Sequence, residues 1–161
     1  MNVMHVSLII ALVLALAAGP ASADTGHVHG SSKGPATMGG PGKPADAKRV
    51  VRIEARDRDY SVRQIQVRPG ETVRFVVTNR SSIRHEFAIA SREEHVEHRA
   101  MMVKHPDMVH DEANVVTVEP GETREIVWTF GTDRNALKTL EFACNIPGHA
   151  EQGMQGTFRG M

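Results

Sequence analysis

The sequence predicts an all-β protein, a Greek-key sandwich of seven to eight strands with one inserted helical segment. Short segments alternate apolar and polar residues and are separated by turn residues. A Val-x-Pro-Gly-Glu-Thr turn followed by a strand pattern occurs twice, starting at Val67 and again at Val118. One longer segment between the strands has neither the alternation nor the turn residues, and it predicts the helical insertion.

The predicted strands begin near Arg49. In RVVRIEAR, Val51, Ile53 and Ala55 share one face and Arg52 lies on the other, which is the period of a half-buried strand. Turn signals separate the further segments of this kind, which favours an antiparallel arrangement. These segments are YSVRQIQV, ETVRFVVTN, HEFAIA, NVVTV, TREIVWTF, TLEFAC and GTFRG.

The exception to the strand pattern is the segment SREEHVEHRAMMVKH. Ser91 followed by Glu94 is a capping box, and no Gly or Pro interrupts the segment before Pro106. The sequence therefore predicts a helix from about Arg92 to Lys104. Its spacing puts several imidazoles and a thioether on one helical stripe, namely those of His95, His98, Met102 and His105.

Two segments precede the folded part. Residues 1–23 combine an apolar run, a Gly-Pro break and an Ala-Ser-Ala site, which predicts a cleaved secretory signal peptide, although no Lys or Arg precedes the run. An uncleaved anchor is the alternative, but the run is shorter than the ~20 apolar residues that normally span a bilayer. Residues 24–48 are dominated by Gly, Pro, Ser and Ala and predict a disordered arm carrying His27 and His29. The folded domain is predicted to comprise residues 49–161.

Composition narrows the functional classes. Lys and Arg total 19, as do Asp and Glu, so the chain lacks the basic excess of a nucleic-acid-binding surface. Because Cys144 is the single cysteine, the chain cannot form an internal disulfide. In an exported protein such a thiol is expected to be buried or metal-bound, since an exposed one would be open to oxidation. Nine histidines and eight methionines add candidate metal ligands.

Candidate ligands concentrate near the C-terminus, in EFACNIPGHAEQGMQGTF. The alternation of TLEFAC directs Cys144 into the sandwich, and His85 opens another strand with an apolar inner face. A Pro-Gly turn can bring back His149, and a second turn at Gly153 presents Met154. One thiolate, two imidazoles and a weak thioether are the ligands of a trigonal copper site with a long axial ligand.

The motif Cys144-x4-His149-x4-Met154, with His85 upstream, resembles that of the cupredoxins, the blue-copper proteins such as plastocyanin, azurin and rusticyanin. The resemblance covers residues 49–161. It is greatest to small periplasmic cupredoxins linked to copper tolerance in proteobacteria, which share HEFAI, a His- and Met-rich helix, EFACNIPGH and GMQGTF. The resemblance implies that His85, Cys144, His149 and Met154 bind one type 1 copper ion.

One position departs from the family pattern. Plastocyanin and azurin have Asn after the first ligand histidine, whereas this chain has Glu86, so the hydrogen bonding to the Cys144 sulfur stays open. Three other sites fit the residues less well. A dinuclear copper centre needs a second Cys where Gly148 stands, and a structural zinc site favours more thiolates and no thioether. A cysteine nucleophile needs an exposed thiol beside a base.

The helical segment leaves two interpretations open. Its thioethers and imidazoles could form a second, labile Cu(I) site, since both ligand types suit that ion. Alternatively, the methionines pack on the sheet and the histidines face water. The residues concerned are His95, His98, Met101, Met102, His105, Met108 and His110.

Two functional classes follow from the copper interpretation. The favoured one is a periplasmic protein that serves copper tolerance by sequestering or oxidising copper, because the arm and the helix add capture points beyond the type 1 site. The alternative is a dedicated electron carrier that docks a redox partner near His149. In both cases the sequence favours a monomer that is not an enzyme, binds no nucleic acid and has no membrane span in its mature form.

Overall fold

The computed structural model describes residues 38–161, which form two β-sheets and three short α-helices. The predicted signal peptide and residues 24–37 of the predicted arm lie outside the described residues. Within the described part, no helix has the length and apolar character needed to cross a membrane. The strands are β1 Gly39–Pro41, β2 Arg49–Ala55, β3 Gln64–Val67, β4 Thr72–Asn79, β5 His85–Ser91, β6 Asp111–Glu112, β7 Val115–Val118, β8 Thr123–Phe130, β9 Leu140–Ala143 and β10 Gln155–Gly160. The helices are α1 Arg92–Lys104, α2 Arg134–Leu137 and α3 His149–Gln152, with a 3₁₀ turn at Pro44–Asp46.

The strands divide between a four-stranded sheet, ordered β1-β8-β4-β2, and a six-stranded sheet, ordered β3-β10-β9-β5-β7-β6. All eight predicted strands are present, as β2 to β5 and β7 to β10, and the predicted all-β sandwich with an inserted helix is confirmed. Two short strands, β1 and β6, and two single-turn helices, α2 and α3, were not predicted.

The antiparallel expectation is right for most strand pairs and wrong for two. Strand β2 runs parallel to β4, and β3 runs parallel to β10. The reason is topological: β3 lies in the other sheet from β2 and β4, so the chain crosses over and returns before β4 adds beside β2. Local alternation reports a strand's faces but carries no information about this crossing.

The two Pro-Gly-Glu-Thr turns occupy related positions in one sheet. Each turn has its glycine in the left-handed region, with φ of 75° at Gly70 and 78° at Gly121. The strands that follow these turns, β4 and β8, are antiparallel neighbours whose ends are cross-linked by threonine hydroxyls, Thr72 to Thr129 and Thr78 to Thr123. The repeated Pro-Gly-Glu-Thr motif therefore marks the turns that lead into two neighbouring strands of the four-stranded sheet.

The core between the sheets is built on five phenylalanines whose neighbouring ring centroids lie 5.0–6.2 Å apart, in mostly edge-to-face contacts. Cys144 and Met154 belong to the same buried cluster. These two candidate metal-binding residues are thus part of the hydrophobic core that the phenylalanines build. The phenylalanines are Phe75, Phe87, Phe130, Phe142 and Phe158.

The inserted helix has the predicted bounds and the predicted cap. The backbone N–H of Glu94 donates to Ser91 Oγ at 3.2 Å, and the Ser91 N–H donates to the Glu94 carboxylate at 2.8 Å. The helix packs against β5 and β9 and buries His95 and Met102. All seven residues of β5 are buried. One face of the strand packs on the core, and the other face is covered by residues that include those of α1.

The folded part begins before the predicted boundary at Arg49. Strand β1 pairs antiparallel with β8, Gly39 lying opposite Phe130, and the Met38 side chain is only 6% exposed. Residues 38–48 therefore belong to the domain and not to the arm. A Gly-Gly-Pro strand has no alternation and poor strand propensity, so its position is set by the backbone of its partner and not by its own side chains.

Strand β1 allows a matched test of this correction. A Cβ on Gly39, whose φ is 114°, would lie 2.2 Å from the Thr129 carbonyl oxygen, whereas no atom lies within 4 Å of a Cβ on Gly40. We expect Gly39→Ala to lower the free energy of unfolding by about 1–3 kcal/mol, the cost of backbone strain. Gly40→Ala should leave it nearly unchanged. Urea titration measures both, and equal stability of the two variants would mean that β1 does not contribute.

Candidate metal centre

His85 is held by the loop that precedes its strand. It is the first residue of β5 and is fully buried, and its Nε2 lies 2.7 Å from Ser81 Oγ. With the Nε2–H donating to this hydroxyl, the lone pair of His85 is on Nδ1. That nitrogen lies 3.2 Å from Nδ1 of His149. Ser81 therefore aims the His85 ring at the C-terminal loop.

The C-terminal loop is closed by its own backbone. Gly148, with φ of 85°, ends the turn predicted at Pro147-Gly148, and α3 begins at His149. The Met154 N–H donates to the His149 carbonyl, and the Cys144 N–H donates to the Met154 carbonyl, both at 3.0 Å. These bonds fix the backbones of Cys144, His149 and Met154 relative to one another.

Three of the four predicted ligands present their donor atoms to one point. Cys144 Sγ lies 3.3 Å from His149 Nδ1, and the donor atoms of His85, Cys144 and His149 all lie within 4.8 Å of one another. The fourth residue, Met154, is fully buried beside them through the backbone bonds of the loop. Strand ends and one loop thus bring three of the four predicted ligands together, and the backbone of the same loop holds Met154.

The electrostatics of this group suit a bound cation. Burial raises the pKa of the Cys144 thiol to about 12, and the nearby Glu86 carboxylate also raises it. Burial lowers the pKa of His85 to about 4, and His149 adds to this effect. At neutral pH the imidazoles are thus uncharged, while the thiol keeps a proton that metal binding would displace. Thiolate and imidazole donors together suit copper.

Glu86, which departs from the family pattern, contributes its backbone to the centre. Its N–H donates to Cys144 Sγ at 3.3 Å, and its carbonyl accepts a hydrogen bond from the Tyr60 hydroxyl. Because neighbouring residues of a strand point to opposite faces, the Glu86 side chain lies on the other side of β5 from His85. The question left open by the sequence has a structural answer: the main chain supplies the hydrogen bond to sulfur.

A second group of metal-binding side chains lies on that other face. The Glu86 carboxylate is 3.6 Å from Nε2 of His98 and 3.6 Å from Nε2 of His110, and these two nitrogens are 3.3 Å apart. Burial raises the pKa of Glu86 to about 7, with Glu112 adding to the rise and the Asn145 backbone moderating it. Burial and the neighbouring His110 lower the pKa of His98 to about 4.

The predicted helical stripe does not form one site. His95 is buried and bridges Asn145 and the Glu141 carbonyl, Met102 is buried, and His105 is exposed. The alternative in which the histidines of this segment face water is therefore wrong for His95 and for His110, both of which are buried. Sequence reasoning named His98 and His110 but missed their association with Glu86. Strand alternation was the available signal, since it directs Glu86 away from the copper pocket and toward the helical side.

Comparison with known proteins identifies the family. The family described as copper binding proteins, plastocyanin/azurin family, matches residues 47–159. The chain is 41% identical over 152 residues to the copper-resistant cuproprotein CopI of Rubrivivax gelatinosus, covering 89% of this chain and 90% of that protein. It is 41% identical over 125 residues to CopI of Vibrio cholerae, covering 76% and 71%. The chain belongs to this copper-binding family. The prediction of a copper cofactor is thereby confirmed.

Solved structures of low sequence identity support the fold. Auracyanin from Roseiflexus castenholzii has a TM-score of 0.59 at 20% identity, covering 71% of this chain and 98% of that one. Auracyanin B has a TM-score of 0.60 at 16% identity, covering 78% and 99%. The cupredoxin sandwich predicted from the sequence is therefore confirmed.

The buried histidines predict how the metal-free protein responds to acid. The pKa of His85 and of His98 is about 4 in the folded chain, against an ordinary 6.5, so the unfolded chain binds their protons first as the pH falls. Stability present above pH 6.5 is therefore lost between about 6.5 and 4. Glu86 acts in the opposite direction because its pKa is raised, but lowered pKa values at His95 and His149 add to the loss.

Urea unfolding of the chelator-treated protein between pH 7 and pH 4 measures this response. We expect the midpoint to fall on acidification, and to fall less steeply for His85→Gln than for the unaltered chain. His105→Gln, on the exposed end of the helix, is the matched control and should keep the original slope. A flat profile, or a slope unaltered by His85→Gln, would contradict the assignment of neutral buried histidines.

Proposed function

We propose that this protein is a periplasmic copper-binding protein that holds one type 1 copper ion through His85, Cys144, His149 and Met154 and serves copper tolerance. The observation that carries the proposal is that the buried Cys144 thiol and two imidazole nitrogens lie within 4.8 Å of one another, in a pocket formed by the loop that also holds the buried Met154. When bound there, the ion supplies one-electron chemistry between Cu(II) and Cu(I). The role is sequestration or oxidation of periplasmic copper, and not catalysis on an organic substrate.

The surrounding residues prepare the pocket for the ion. Ser81 keeps the proton of His85 on Nε2 and so leaves Nδ1 available as a ligand. The Glu86 N–H stabilises negative charge on the Cys144 sulfur. The phenylalanine core behind the pocket holds Cys144 and Met154 in place, so the donor atoms shift little between oxidation states.

Copper tolerance is favoured over electron transfer by two observations. The relatives that match most of this chain carry the description copper-resistant cuproprotein. Candidate ligands also lie outside the type 1 pocket, in the Glu86, His98 and His110 group and at His27 and His29. An export signal over residues 1–23 is consistent with a periplasmic site of action.

A dedicated electron carrier is the second candidate function. His149 is only partly buried, the neighbouring Pro147 is exposed, and Ile83, in the loop that leads to His85, is 45% exposed. Small apolar surfaces around a partly exposed ligand histidine suit brief docking of a redox protein. In this alternative, electrons pass through the His149 ring.

The Cys144 sulfur should give the copper-loaded protein its colour. A thiolate bound to Cu(II) produces an intense charge-transfer band in the visible region, so Cys144→Ser should abolish the band while the buried, nearly isosteric side chain preserves the fold. His105→Gln should retain the full band. Absorption spectra of the two variants after loading with one equivalent of Cu(II) make the comparison. A coloured Cys144→Ser protein would exclude the sulfur as a ligand.

Growth of a strain that lacks the gene separates the two functions. Complementation with the unaltered chain should restore growth across a copper series, and complementation with Cys144→Ser should not. Under respiratory stress without added copper, we expect the deletion to have no effect. A growth defect that depends on respiratory stress and is indifferent to copper would favour the electron carrier.

A further inference from the structure

We propose that Glu86, His98 and His110 form a second site, separate from the type 1 pocket, that binds one divalent metal ion, and that this ion is Cu(II). The three side chains come from β5, α1 and the loop before β6, so tertiary packing alone brings them together. One donor atom from each lies within 4.8 Å of the others. The existence of the site rests on this geometry, whereas its role in copper handling rests on the proposed function.

The distances match those between ligands of a single ion. The donor atoms are separated by 3.3 Å between the two imidazoles and by 3.6 Å from each imidazole to the carboxylate. Bonds of about 2.0–2.1 Å separate neighbouring ligands by about 3.3–3.4 Å around a tetrahedral ion and by about 2.8–3.0 Å in the square-planar arrangement that Cu(II) prefers. An ion can therefore be placed among the three side chains with only small movements.

The buried carboxylate points to a ligand. Glu86 has no exposed side-chain surface, and within residues 38–161 neither of its oxygens has a partner at ordinary hydrogen-bond geometry, the Asn145 backbone N–H being close enough only to moderate its pKa. A buried carboxyl group in this condition destabilises a fold unless something compensates it. Both oxygens face the histidine nitrogens, one toward His98 and the other toward His110. A cation between these groups would supply the missing partner.

His110 is already oriented for coordination. Its Nδ1 lies 3.2 Å from both carboxylate oxygens of Glu112, which accept the Nδ1–H. This leaves the lone pair of His110 on Nε2, directed at Glu86. A carboxylate behind a histidine is the arrangement that fixes the tautomer and orientation of metal-binding imidazoles.

His98 is oriented by the Asn145 amide. The structure places the amide oxygen 3.1 Å from Nδ1 of His95 and the amide nitrogen 3.1 Å from Nδ1 of His98, and the hydrogen bonding of His95 calls for the amide to be rotated by 180°. Neutral His95 donates from Nε2 to the Glu141 carbonyl, so its Nδ1 accepts and requires the amide nitrogen. With the amide in that orientation, its oxygen accepts Nδ1–H of His98 and the His98 Nε2 lone pair faces Glu86. The rotated amide gives up only a 3.4 Å contact with Arg99.

The donor set selects the ion. Two imidazoles and one carboxylate include no sulfur, so the set suits a divalent ion and not Cu(I). Among the divalent first-row ions, such sites bind Cu(II) most strongly. Two carboxylates, Glu86 and Glu112, offset the charge of the ion, and the guanidinium groups near the site are those of Arg84 and Arg99. The His98 side chain is 16% exposed, which gives the ion a path from solvent.

The test counts Cu(II) bound to the full chain after the type 1 pocket is filled. His27→Gln and His29→Gln are introduced in every protein, so that the arm does not contribute. Cu(II) is added until the visible band saturates, and further binding is measured by ultrafiltration with metal analysis and by EPR. We expect the parent to hold one more ion with a separate EPR signal, and His98→Gln and His110→Gln to bind it at least tenfold more weakly. His105→Gln is the matched control and should bind as the parent does.

The visible band shows that each variant is folded, so loss of the second ion cannot be mistaken for unfolding. A His98→Gln protein with an intact band and undiminished second-ion binding would overturn the proposal. A site that takes Zn(II) and refuses Cu(II) would overturn the copper assignment. A parent that lacks the band, yet binds an ion through His98 and His110, would exclude the proposed type 1 centre and support this one.

Discussion

Antiparallel pairing of β5 with β9 is the constraint on which both metal-binding groups depend. The register places Ala88 opposite Ala143, so the start of β5 meets the end of β9. His85 and Cys144 therefore arrive at the same edge of the core from strands that are distant in sequence. The Glu86 N–H to Cys144 sulfur bond closes this junction.

Much of this arrangement could be predicted because it is encoded locally. The alternation of eight segments gave the strands, a capping box gave the helix with its bounds, and the spacing of Cys144, His149 and Met154 fits one closed loop. The resemblance to the cupredoxins then supplied the ligand set as a whole. Non-local features were beyond such reasoning. The parallel pairs and the position of β1 depend on which strands become neighbours in a sheet. In addition, the Gly-Gly-Pro segment of β1 has no side-chain alternation from which a strand could be predicted.

The inserted helix explains why one strand can serve two groups. In a sandwich without such an insertion, the outer face of β5 would contact water, and Glu86 would be an ordinary solvated carboxylate. Helix α1 packs against β5 and β9 and brings His98 to that outer face. The strand is thus buried on both sides, and alternate residues face chemically different surroundings. This is why Glu86 could be recognised from the sequence as a departure but not as a ligand.

The backbone joins the two groups closely. His85 and Glu86 are consecutive residues, as are Cys144 and Asn145. In each pair the first residue is a proposed type 1 ligand, whereas Glu86 belongs to the second group and Asn145 contacts His98 of that group. A protein that only carried electrons would gain nothing from a buried carboxylate beside its copper pocket, and the unpartnered group would destabilise it. A protein that handles copper, as proposed, would gain a separate position for Cu(II) beside the proposed type 1 pocket. The carboxylate is thus better explained by copper handling than by electron transfer alone.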